Sequence, residues 1–117
     1  MVVDDDQQLS RLMNDVLSAF GAKVSCYNCP LRALEGFTQA EVGFDMVITD
    51  QTMPGMTGMQ LSESILRLKP NIPIILCTGY SEEATAETTK AMGIAGFFLK
   101  PIIISDLVRY AQKLIRV

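Results

Sequence analysis

The stretch Ile72-Pro73-Ile74-Ile75-Leu76-Cys77 carries no charge and stops at Thr78-Gly79. A run this short, apolar at successive positions and closed by turn residues, reads as a strand buried on both faces. Such strands belong to parallel sheets. Parallel neighbours cannot be joined by a tight turn; each needs a crossover, usually a helix. The rest of the chain must therefore alternate strand and helix if this reading is right.

The alternation is there. Met1-Val2-Val3 reads as the end of a strand whose earlier residues are missing, running straight into Asp4-Asp5-Asp6. Leu9, Leu12, Met13, Val16, Leu17 and Phe20 then recur with helical period, and Gly21 stops that helix. Residues 22–27 alternate weakly as a second strand. Pro30 suits the first turn of a second helix, capped by Cys29, with Leu31, Leu34 and Phe37 inward and Gly43 closing it. Residues 44–49 form a third strand ending at Asp50. Residues 58–69 form a third helix with Leu61, Ile65 and Leu68 inward, ended by Pro70. After the fourth strand, Ser81 with Glu82 and Glu83 caps a fourth helix that runs through Met92 and is the least firmly held. Residues 95–99 are the fifth strand. Ser105 caps a last helix with Leu107, Ala111, Leu114 and Ile115 inward. Five strand–helix units without a linker predict a single α/β domain over residues 1–117, a flavodoxin-like doubly wound parallel sheet of order 2-1-3-4-5.

Composition narrows the chemistry. With 117 residues, 49% hydrophobic and 20% charged, the chain is an ordinary globular domain, expected in the cytoplasm. A net charge of −3 argues against direct nucleic-acid binding, and no apolar run approaches a membrane span. There is no histidine, which excludes histidine-based catalytic triads and histidine metal ligands. Three cysteines do not suit a secreted disulfide framework.

In a parallel sheet the carboxyl ends of the strands share one edge, where ligands bind. That edge would collect Asp4 and Asp5 from the first strand, Asp50 from the third, Thr78 from the fourth and Lys100 from the fifth. Crowded carboxylates need a cation, and hard oxygen ligands suit Mg²⁺. A carboxylate nucleophile, a metal, an ammonium and a hydroxyl donor together suit acceptance of a phosphoryl group on Asp50.

The motifs Val2-Val3-Asp4-Asp5-Asp6, Asp50-Gln51-Thr52-Met53-Pro54-Gly55-Met56-Thr57-Gly58, Cys77-Thr78-Gly79 and Phe98-Leu99-Lys100-Pro101 resemble the signatures of response-regulator receiver domains. The resemblance covers essentially the whole chain. It implies that Asp50 is the phosphoacceptor, and that Asp5, Asp50 and the Thr52 backbone carbonyl ligate Mg²⁺, with Asp4 holding a metal-bound water. It further implies that Thr78, Lys100 and the Gly79 amide contact phosphoryl oxygens. Thr78 and Phe97 would act as a switch altering the face of the fourth helix, fifth strand and fifth helix. Phe97 lacks the hydroxyl of a tyrosine, so a hydrogen bond from that ring is absent. Thr52 and Tyr80 stand at positions that tune dephosphorylation in the family, where the Lys100-Pro101 peptide is often cis. The implied partners are a histidine kinase or histidine phosphotransfer domain acting in trans, with small phosphodonors as substitutes. An output domain or a second copy would bind the switching face. The parent protein would be a response regulator or a hybrid sensor kinase; the short first strand favours a piece of a larger protein, and the Thr78-Gly79-Tyr80-Ser81-Glu82 stretch, residues 95–102 and Ile102-Ile103-Ile104 resemble receivers attached to hybrid sensor kinases.

Other readings stand beside this one. A metal-dependent phosphohydrolase with an aspartyl nucleophile would want an acid where Thr52 stands, and a cap insertion. A phosphorylation-independent interaction domain would have no need of the acidic set. Cys26-Tyr27-Asn28-Cys29-Pro30 is a C-x-x-C at a strand–helix junction, the spacing of a thioredoxin-like redox pair, without that fold's order of elements.

Overall fold

A computed structural model of the chain describes residues 1–79 and 84–115. In chain order the elements are β1 (Val2–Val3), α1 (Gln7–Ala19), β2 (Cys26–Tyr27), α2 (Pro30–Gln39), β3 (Val47–Asp50), α3 (Gly58–Leu68), β4 (Ile74–Thr78), α4 (Ala86–Met92), β5 (Gly96–Leu99) and α5 (Ile104–Ile115). The strands form one parallel sheet of order β2-β1-β3-β4-β5, the flavodoxin-like arrangement that the alternation predicts.

Successive side chains of a strand point to opposite faces, and here each face meets its own helical layer. Val3, Val47, Ile74, Leu76 and Phe97 face a core shared with Ala33 of α2, Leu61 and Ile65 of α3, and Met92 of α4. Val2, Ile48, Ile75, Cys77 and Phe98 face the other core, with Met13 of α1 and Leu107 and Ala111 of α5. The adjacent phenylalanines of β5 are thus divided between the layers. Tyr110 of α5 sets its ring edge-on to Phe98, with centroids 5.5 Å apart, and its hydroxyl donates to the Ala95 carbonyl.

Several expectations need correction. Leu12 of α1 and Phe20, its C-cap, are 46% and 62% exposed. The strands nearest to α1, β1 and β2, have two residues each, so Met13 and Leu17 meet the core while the flanks of the apolar arc stay outside it. Leu31, Leu68 and Ile115 are likewise exposed, at the margins of α2, α3 and α5. Helix α2 ends at Gln39, before Gly43. Helix α4 starts at Ala86, where Thr85 accepts from the Thr88 amide and Thr88 Oγ1 accepts from the Thr85 amide. This reciprocal cap satisfies two amides that the helix cannot. The expected cap at Ser81, with Glu82 and Glu83, lies outside the described residues, as does Tyr80.

Helix α3 carries an orphan. Among the described residues, Ser62 Oγ is the only fully buried side-chain polar atom without a hydrogen-bond partner. An unsatisfied buried hydroxyl costs about 1–3 kcal/mol, and alanine is the better helix former. Ser62→Ala should therefore stabilise the domain by about 1 kcal/mol, read as a higher urea midpoint with unchanged slope.

Candidate active site

The strand register brings the predicted residues to one edge. Val3 pairs with Thr49, so Asp4 follows beside Asp50; Thr78 pairs with Leu99, so Lys100 follows beside the end of β4. The carboxylate oxygens of Asp4, Asp5 and Asp50 lie within 4.8 Å of one another. Asp4 and Asp50 are buried and Asp5 is exposed, which leaves the cluster open on one side. Lys100 Nζ lies 2.7 Å from Asp50 Oδ1.

The electrostatics follow from this crowding. Burial pushes the Asp4 carboxyl up to about 6, with Asp50 and Asp5 adding to the shift while the Asp6 amide and Lys100 oppose it. Burial pulls Lys100 down, but its hydrogen bond to Asp50 and the charges of Asp50 and Asp4 outweigh that, and the net shift is upward. A single ammonium leaves the cluster short of positive charge. Adjacent hard oxygens, one of them on a carboxyl held above its ordinary range, fit a small divalent cation such as Mg²⁺.

The loop after β3 is pinned from several sides. Gln51 is buried, its amide donates to the Cys77 carbonyl, and its side-chain oxygen accepts from the Met59 amide in the first turn of α3. Its carbonyl accepts from the Gly58 amide. Thr57 and Gln60 complete the start of α3 as a capping box. Gly55 adopts φ +87°, a conformation that glycine takes without strain. Thr52 stands exposed beside Asp50, between buried Gln51 and Met53.

Thr78 is buried, and its hydroxyl donates to the Gly79 carbonyl at 2.9 Å. Among the described residues, nothing lies within 4 Å of where a Cβ on Gly79 would sit. Phe97 is half-buried on β5, on the layer that Leu76 also faces, and lines a groove with Ala86, Thr89, Lys90 and Ile94 of α4 and its flank. The Lys100-Pro101 peptide is cis.

The sequence does not single out Ser10, and Asn28 and Gln51 stand there only inside longer motifs with no role of their own. Asn28 Nδ2 donates to the Asp4 carbonyl at 2.8 Å and Ser10 Oγ donates to the same oxygen at 3.2 Å. Asp6 donates its amide to Asp4 Oδ1 and caps α1 with its own carboxylate. Asn28 did give a signal, a turn-forming residue just past a strand; Gln51 gave none.

The C-x-x-C pair at the β2–α2 junction is not bridged. All three cysteines are free thiols. Burial pushes the Cys26 thiol up rather than down, and it donates to the Ser10 carbonyl. Cys77 is pushed up to about 12 by burial, then by Asp50 and Asp4. For Cys26 and Cys77 this is opposite to the lowering that marks a reactive thiol.

The family model of the response regulator receiver domain matches residues 1–112. The chain belongs to this family. Among its relatives, the receiver domain is 35% identical over 112 residues to the C4-dicarboxylate transport transcriptional regulatory protein DctD of Rhizobium meliloti (strain 1021), covering 96% of this chain and 24% of that protein. It is 33% identical to the putative two-component response regulator ARR21 of Arabidopsis thaliana, covering 96% of this chain and 18% of that one. The chain thus spans about a quarter or less of these curated relatives. Among solved structures, a response regulator receiver domain protein of Clostridium thermocellum superposes with a TM-score of 0.89 at 26% identity, covering 97% of this chain and 90% of that one. TrrA of Thermotoga maritima, solved in complex with Mg(2+)-BeF, superposes with a TM-score of 0.83 at 27% identity, covering 97% and 95%. Among the described residues of this receiver domain, no helix is long and apolar enough to cross a membrane.

Proposed function

We propose that the domain accepts a phosphoryl group on Asp50 from a phosphohistidine of a histidine kinase or histidine phosphotransfer domain. Small acyl phosphates would serve as substitutes. The observation that carries this reading is the juxtaposition of Asp4, Asp5 and Asp50 oxygens with the Lys100–Asp50 ion pair at one sheet edge. An Asp50 carboxylate oxygen attacks phosphorus as the bond from phosphorus to the donor nitrogen breaks. The electrons of that bond return to the imidazole, and an acyl phosphate forms on Asp50. Lys100 moves its ion pair from the carboxylate to a phosphoryl oxygen. Thr78 turns its hydroxyl from the Gly79 carbonyl toward another, with the Gly79 amide as a further donor. Asp5, Asp50 and the Thr52 carbonyl would hold Mg²⁺, with Asp4 on its water; when bound, the ion neutralises charge on the phosphoryl oxygens.

The switch follows from Thr78 and Phe97 sharing one face of adjacent strands. Withdrawing the Thr78 hydroxyl toward a phosphoryl group frees room for Phe97 to move inward. That would alter the groove between α4 and β5 where an output domain or a second copy docks. The likeness to transcriptional regulators favours a cytoplasmic response regulator as parent. A hybrid sensor kinase is the other parent this reading allows.

Incubation with acetyl phosphate and Mg²⁺, followed by intact-mass measurement, tests the assignment. Wild-type protein should gain one phosphoryl group and Asp50→Asn none. Unmodified wild type, or modification that persists in Asp50→Asn, would overturn it.

A further inference from the structure

The first strand ends where the second turns away, and this leaves a carbonyl in need of donors. The Asp4 amide donates to the Tyr27 carbonyl, which continues the parallel ladder. The next rung would need an amide of the second strand to reach the Asp4 carbonyl. At that point the chain has already turned into α2, with Cys29 as its N-cap. A buried carbonyl left without a donor is costly. Two side chains stand in for the missing rung. Asn28 Nδ2 donates to the Asp4 carbonyl at 2.8 Å and Ser10 Oγ at 3.2 Å, and Asn28 Nδ2 also lies 3.3 Å from Ser10 Oγ.

We infer that Asn28, with Ser10, is a positioning residue for divalent-cation binding in the acidic cluster. This rests on the assignment of Mg²⁺ to that cluster. The Asp4 carbonyl belongs to the rigid peptide plane that joins Asp4 to Asp5. Fixing its direction fixes the backbone dihedrals on either side of that plane. Those dihedrals set the direction of the Asp5 Cα–Cβ bond, and with it whether the exposed carboxylate reaches toward Asp50. The side-chain oxygen of Asp4 is held separately by the Asp6 amide. Asn28 therefore acts on the Asp5 side of the cluster, from a loop that itself carries no ligand. Outer partners of this kind orient metal ligands without touching the metal.

Mg²⁺ titration by calorimetry, on the wild type and on Asn28→Ala, Ser10→Ala and the double variant, provides the test. Each single variant should weaken Mg²⁺ binding by roughly threefold to tenfold, the worth of one hydrogen bond. The double variant should lose more than the product of the two, because only then is the shared carbonyl orphaned. Asn28→Ser, which restores a donor, should recover part of the loss. In the phosphorylation assay the Mg²⁺ concentration for half-maximal rate should rise in Asn28→Ala, while the rate at saturating Mg²⁺ stays at the wild-type level. A lower melting temperature with unchanged Mg²⁺ affinity would reduce Asn28 to a structural role and overturn the inference. If the wild type binds no Mg²⁺ at all, the cluster's assignment falls first and takes this inference with it.

Discussion

Gly58→Ala is expected to destabilise the domain by about 2–4 kcal/mol, although alanine is the better helix former by about 1 kcal/mol. Gly58 opens α3 directly beneath the end of β3. A methyl group there would run into the backbone carbonyl of Asp50 and come within 2.6 Å of Leu76 Cδ1. Leucine can turn aside, but the carbonyl cannot. It belongs to the paired end of β3 and precedes Gln51, whose own carbonyl accepts the Gly58 amide. Relief must come from moving the start of α3 away from the sheet, or the end of β3 away from β4. Either shift carries Asp50 with it. The melting temperature should fall on the order of 10 °C, and phosphoryl uptake should fall more than the unfolded fraction explains. Near-normal stability with normal uptake would show that the helix start can slide freely, against the geometry described above.

Asp4→Asn should act in the opposite direction on the metal-free protein. The Asp4 carboxyl is held at about 6, against an ordinary 3.8. Between those values the folded chain keeps a proton that the unfolded chain has released, so this group makes stability fall as pH rises through the window. Above pH 6 the cost is fully present; below pH 4 it vanishes. Asparagine keeps an oxygen to accept the Asp6 amide and removes the charge. At neutral pH with a chelator present, Asp4→Asn should therefore be more stable by about 1–2 kcal/mol, a figure lowered for the solvent that reaches the open side of the cluster. Near pH 4 the gain should disappear. With saturating Mg²⁺ the order should reverse, because the wild type gains binding energy that the variant largely lacks. Urea titrations at these two pH values, with and without Mg²⁺, read all of this. A gain in Asp4→Asn that persists at pH 4 would place its origin outside the charge.

What the sequence makes legible here has a physical pattern. Strands buried on both faces announce themselves as apolar runs, and right-handed crossovers narrow their order to few choices, of which 2-1-3-4-5 is the one that forms. The site was legible for the same reason: Asp4, Asp50, Thr78 and Lys100 each stand where an apolar run stops, and the register lays those stops side by side. Residues that act through the backbone left weaker marks. Gln51 holds the start of α3, and Asn28 and Ser10 hold the Asp4 carbonyl, yet amides and hydroxyls next to turns are common for many reasons. Helical period was reliable for the existence of α1 and less so for its orientation, since Leu12 and Phe20 lie on the apolar arc and still face water. At α4, Ser81 with its two glutamates made the stronger-looking cap, but Thr85 and Thr88 cap the helix that forms.

The cluster draws on positions 4, 5, 50 and 100, so it spans nearly the whole described chain while occupying a few ångströms of space. No contiguous fragment contains it. Any cation or phosphoryl group seated there fastens β1, β3 and β5 to one another across the intervening strand. Occupancy is then coupled to unfolding of the entire sheet rather than to the opening of a single loop. A phosphoryl group on Asp50, as proposed, would therefore also clamp β1, β3 and β5 together, making the phosphorylated molecule the harder one to pull apart.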